Sequence, residues 1–137
     1  MAKRMVILTK LGVAALVLAA FGPAFAHHSG AMFDSQKRIE LKGTIKQFQW
    51  TNPHSWIQIE VPNAQGKMEE WSVEGGSPNT LARQGWRPGT FKAGDHVTIR
   101  VGPMKDGSKG GIFVGAMLAD GKVLGRMSDA PQTELTR

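Results

Sequence analysis

The feature that most constrains this chain is a period-two alternation of apolar residues. It recurs in five short segments and is interrupted once, by a helix signal. Ile39, Leu41, Gly43 and Ile45 alternate with Glu40, Lys42, Thr44 and Lys46. Such a pattern turns one set of side chains toward a core and the other toward water. The apolar parity then slips to Phe48 and Trp50. A slip of one position inside a strand predicts a bulge or sharp coil, and Gly43 permits a bend nearby. Thr51-Asn52-Pro53 is turn chemistry. His54 to Val61 predicts a second strand, with Ile57, Ile59 and Val61 on one face and Trp56, Gln58 and Glu60 on the other. Asn63 to Lys67 predicts a hairpin turn, and Met68 to Gly75 a third strand carrying Trp71 and Val73 on one face.

The interruption is Gly75-Gly76-Ser77-Pro78-Asn79. Ser77 suits an N-cap and Pro78 a first helical position. A short helix is expected over Thr80 to Gln84, ending at Gly85. Beyond the turn at Lys92 to Asp95, Val97, Ile99 and Val101 predict a fourth strand. Asp106 to Gly111 predicts a loop, Ile112 to Leu118 a fifth strand, and Asp120-Gly121-Lys122 a turn into a short extension. A long, bent first strand and a helix between strands 3 and 4 mark an OB-like five-stranded barrel. A β-sandwich of similar size is the alternative.

The N-terminus reads as a secretory signal peptide. Lys3, Arg4 and Lys10 precede an apolar run, Leu11 to Phe21, and Ala24-Phe25-Ala26 has the small residues of a cleavage site. The run is about half the roughly 20 residues that a membrane span needs. Cleavage after Ala26 is therefore expected, with the product in the periplasm or secreted. Removing 26 of the 137 residues leaves 111, and losing three basic residues takes the formal charge from +6 to +3. That length suits one domain: residues 27–38 an N-terminal arm, 39–127 the barrel and 128–137 a tail. The residual charge gives no reason to expect nucleic acid as a partner. No transmembrane segment is expected after processing. The chain has no Cys, so no disulfide staples it, although an exported location would permit one.

Several blocks resemble a known family. They are His27-His28-Ser29 with Phe33-Asp34, Gly43-Thr44, Trp50-Thr51-Asn52-Pro53-His54-Ser55-Trp56, Gly76-Ser77-Pro78-Asn79, Gly85-Trp86 and Gly94-Asp95. Together they are similar to a family of small exported bacterial β-domains of unknown function. The resemblance spans nearly the whole mature chain and implies a compact β-rich domain, without supplying a reaction.

Two groups of residues carry candidate chemistry. After cleavage, His27 offers an α-amine and an imidazole Nδ1 to one metal ion. An α-amine with a pKa near 8 loses its proton at modest cost. A third nitrogen, from His28 or His54, would complete a T-shaped copper set, and imidazole suits Cu(II). Copper mono-oxygenases of the histidine-brace type resemble this chain only at that N-terminal His. The plainer account leaves the pair solvated and lets the His54 ring bond a backbone carbonyl in its turn. The second group is Trp56 with Asn52. Trp56 faces away from Ile57 and Ile59, on the strand surface that OB-folds use for ligands, or it packs under the arm against Phe33. Trp50, Trp71 and Trp86 are expected in the core or against the helix, and His96 at the surface.

The Gly75-Gly76-Ser77 segment lacks P-loop spacing and its Lys, and reads as a helix cap. No Cys nucleophile, G-x-S-x-G elbow or H-E-x-x-H pair occurs. Glu69 and Glu70 fall on opposite faces of a strand, so they do not form a catalytic pair. The expectation is a non-catalytic binding or accessory module for an unknown small molecule or protein, with copper binding through His27, His28 and His54 as the alternative.

Overall fold

The computed structural model describes residues 30–129. Six strands and one short helix follow in the order β1 (Ile39–Gln49), β2 (Trp56–Pro62), β3 (Met68–Glu74), α1 (Pro78–Arg83), β4 (His96–Pro103), β5 (Gly110–Leu118) and β6 (Val123–Gly125). The sheet order is β3-β2-β1-β4-β5-β6, and a further β3–β5 pairing closes the first five strands into a barrel. The OB-like expectation holds, with the helix between strands 3 and 4. The short extension is itself a strand, β6, paired to Gly115–Met117 of β5 outside the closed ring.

Strand β1 makes the closure possible because it serves two sheets. Its first half pairs with β4, from Ile39↔Val101 to Thr44↔His96. Its second half pairs with β2, from Thr44↔Glu60 to Gln49↔Trp56. The changeover needs a tight coil, and Gly43 sits there. A Cβ at Gly43 would lie 2.1 Å from the Glu60 carbonyl oxygen, so no other residue fits. The parity slip seen in the sequence is a register shift between Ile45 and Gln47.

The inward set is the predicted one. Leu41, Ile45, Ile57, Ile59, Val73, Val97, Ile99 and Val101 are buried. Each buried aliphatic side chain contributes about 1.5–3 kcal/mol, so these residues carry much of the fold's stability. Helix α1 contributes one side chain, Leu81, to the core. The Ser77 side chain accepts from Thr80 N, Pro78 opens the helix, and Gly85 follows at φ +88. The helix spans Pro78–Arg83, starting at the proline marked by the cap signal and ending one residue before Gln84, which is its C-cap. Its Leu81 is buried beside Trp86 and Phe91. Trp86 packs edge-on against Phe113 (centroids 4.9 Å apart) and Phe91 (5.5 Å). Trp50 and Trp71 pack against the same core while partly exposed.

Both flanks are tied to the barrel. Gly30–Met32 form a 3-10 turn, Phe33 is buried and bridges Met104, and Asp34 N donates to the Pro103 oxygen at 2.8 Å. At the other flank the buried Arg100 donates to the Met127 carbonyl at 2.7 Å and pairs with Asp129. The bonds from Arg100 hold the Asp129 carboxyl below the ordinary aspartate range.

Candidate functional site

The segment between β1 and β2, Trp50 to Ser55, is fixed by local bonds. The Asn52–Pro53 peptide bond is cis. Thr51 Oγ1 donates to the His54 carbonyl at 2.9 Å. Ser55 N donates to the Gly76 carbonyl, and Gly75 N donates back to the Ser55 carbonyl at 2.8 Å. Strand pairing proper thus begins at Trp56, two residues later than expected, because Asn52-Pro53 sets a turn and Ser55 pairs beyond the end of β3. The same exchange ends β3 at Glu74, so Gly75 lies in the turn toward the helix.

This register brings His54 to Glu74. Nδ1 of His54 lies 3.2 Å from Glu74 Oε1 and 3.2 Å from the Gly75 carbonyl oxygen. Both neighbours are acceptors, which favours the proton on Nδ1; the hydrogen bond goes to the Gly75 carbonyl, with the Glu74 carboxylate at ion-pair distance. In the neutral ring, Nε2 then bears the lone pair. The Glu74 side chain is only 15% exposed and that of His54 34%. A carboxylate that orients an imidazole through Nδ1 is the arrangement that supports histidine ligation of metals.

The pair stands between two cavities. The first, about 450 Å³, is lined by Met32, Thr51, Asn52, Pro53, His54, Trp56 and Glu74. Trp56 is half-buried there, directly across the strand pair from Glu74. The second, about 550 Å³, lies between α1 and the β5–β6 hairpin, with Glu74 and His54 at its polar end. The predicted residues Asn52, His54 and Trp56 therefore meet in one cavity. The carbonyl beside the His54 ring belongs to Gly75, beyond the end of β3, and not to the turn that carries His54. The ring does bond a backbone carbonyl, and Trp56 does lie beside the arm, where Met32 lines the same cavity.

His27 and His28 lie outside the described residues. Among the described residues no three His, Cys, Asp or Glu side chains gather as a metal-binding group. His96 is exposed, as expected, with Nδ1 3.2 Å from Thr44 Oγ1. Glu69 and Glu70 point apart: Glu69 pairs with Lys109 at 2.9 Å, and Glu70 with Lys46.

Sequence reasoning singled out neither Glu74 nor Met32 as a site residue. The signal for Glu74 was present in the hairpin. A turn centred on Gln65 pairs residues symmetric about it, which sets Trp56 opposite Glu74. Met32 had no such signal, since its placement depends on the arm following the β4–β5 loop through Lys105 N and the Met32 carbonyl.

The fold and this site define a small OB-like β-barrel domain with a His–Glu pair at the start of β2. The chain belongs to a family of unknown function, DUF6152, which matches residues 14–113. Comparison with curated proteins and comparison with solved structures each gave no match. No helix among the described residues is long and apolar enough to cross a membrane.

Proposed function

We propose that this domain is an exported, non-catalytic binding module whose ligand at the first cavity is Cu(II). His54 Nε2 and the amine and imidazole of a mature N-terminal His27 would bind the ion. The observation that carries this reading is the state of His54. Its Nδ1 lies 3.2 Å from Glu74 Oε1 and 3.2 Å from the Gly75 carbonyl oxygen, an arrangement that orients the ring for coordination through Nε2. Met32 lines the same cavity. The tripartite N-terminus supports export and the exposure of His27 as a free amine.

The test is a Cu(II) titration of the protein beginning at His27, beside a sample carrying one extra residue before it. The expected result is tight one-to-one binding that the extension weakens at least a hundredfold. Equal, weak binding in both samples would sink the copper reading. The half-buried Trp56 beside Asn52 favours a second reading in that case, a flat organic ligand stacked on the indole.

A further inference from the structure

The second cavity has a cause in the topology. β3 and β5 run parallel for only three residue pairs, Ser72↔Gly110, Val73↔Gly111 and Glu74↔Ile112. After Glu74 the chain turns through Gly75 and Gly76 into α1, whereas β5 continues to Leu118 and takes β6 as its neighbour. The strands part, and a wedge of about 550 Å³ opens at the seam of the barrel. Its walls include Leu81, Trp86, Phe113 and Leu124, with Trp86 and Phe113 in edge-to-face contact. Its polar end holds Glu74 and His54. A mostly apolar cavity of a few hundred Å³ with a small convergent polar group is the usual form of a small-molecule site.

The polar end selects the ligand class. Glu74 is largely buried, and its Oε1 lies 3.2 Å from His54 Nδ1. Among the described residues its Oε2 accepts no hydrogen bond. That oxygen is not sealed from water, so a ligand filling the cavity would strip its solvent and has to replace it with a donor. An anionic ligand would add repulsion, and a purely apolar one would shield the oxygen further. A cationic donor satisfies it, and a charge-assisted bond of that kind is among the stronger polar contacts.

We propose that the seam cavity binds a small aromatic amine, with its ring against Trp86, Phe113 and Leu124 and its ammonium on Glu74. This goes beyond the copper reading and does not need the metal, although the two sites share the His54–Glu74 pair.

The test uses nitrogen-15 NMR titration of the N-terminally extended protein with EDTA present, which removes copper from the question. Tryptamine is the probe, and indole-3-acetate is the control with the same ring and opposite charge. The expected result is saturable tryptamine shifts at the Trp86 indole N–H, Gly76 and Leu124, with indole-3-acetate at least tenfold weaker. Glu74→Gln should weaken tryptamine at least tenfold, and Trp56→Ala less than twofold. Val123→Trp, at the exposed rim of the same cavity, should block binding while leaving Glu74 and the core intact. Equal binding of both probes, shifts centred on Trp56 and Asn52, or no saturable shift in the parent protein would each overturn the proposal.

Discussion

The two ends of strand β3 use the same three kinds of group and differ in what those groups can do. At its start, Glu69 pairs with Lys109, whose ammonium lies 5.3 Å from the centroid of the Trp71 ring. At its end, Glu74 pairs with His54 beside Trp56. Each end thus has a carboxylate, a cation or potential cation, and an indole. The first cluster is a clamp. Lys109 has three donors and no lone pair, and it holds the β4–β5 loop over the sheet. In the second cluster an imidazole replaces the ammonium. Placing its Nδ1 beside the carboxylate leaves a lone pair on Nε2. The proposed ligand site rests on the imidazole and on the cavities around it, since a Glu–cation–Trp grouping occurs at both ends.

The sharpest way to break this comparison is to delete the cation at each end. In the protein beginning at His27, His54→Ala should weaken Cu(II) binding about a hundredfold, because it removes a directly bonded nitrogen. Lys109→Ala should leave copper affinity within twofold. Competition titration against a chelator of known affinity reads both. A His54→Ala protein that binds copper as tightly as its parent would place the metal entirely on the N-terminal residues and leave the two ends of β3 equivalent.

Much of this contrast was legible in the sequence. Alternation from Ile39 to Ile45 and from Ile57 to Val61 gave the inward face, and Ser77-Pro78 gave the helix start. Both rest on local rules of side-chain period and capping. The slip toward Phe48 marks the bulge, and turn chemistry and strand period mark Asn52, His54 and Trp56, which line one cavity. The seam cavity was not legible. It depends on β3 and β5 pairing in parallel for only three residues, a contact between segments far apart in sequence that no local pattern encodes. The strand assigned to residues 54 and 55 failed for a related reason. Ser55 does make ladder-like bonds, but with Gly75 and Gly76 beyond the end of β3.

A smaller effect separates the two carboxylates. Glu74→Gln keeps the size and one acceptor of the side chain while removing the charge that favours the Nδ1–H tautomer. Loss of a partner that orients a metal-bound histidine costs about 10–100-fold in affinity. The lower end is expected here, about tenfold, because the Gly75 carbonyl still holds Nδ1. Glu69→Gln should leave copper affinity unchanged. An equal loss from both substitutions would mean that net charge, rather than the contact with His54, governs the site.

The smallest effect belongs to the clamp and shows only in stability against pH. The hydrogen bond from Lys109, with a second from Asn63, holds the Glu69 carboxyl below the ordinary glutamate range. A carboxyl with a lower pKa folded than unfolded adds stability above its unfolded value, about 4.3, and loses it as pH falls through the folded value. The thermal midpoint of the parent should therefore fall with acidification below about pH 4.5 slightly more steeply than that of Glu69→Gln. The difference should be slight because the Lys109 side chain is half exposed and its partner 28% exposed, so solvent screens the pair. Melting curves from pH 7 to pH 3 at low salt measure it, and added salt should narrow the gap. Superimposable acid profiles would show that the Lys109–Glu69 contact contributes nothing to stability, and the start of β3 would then be held by its pairing with β2 and by Trp71.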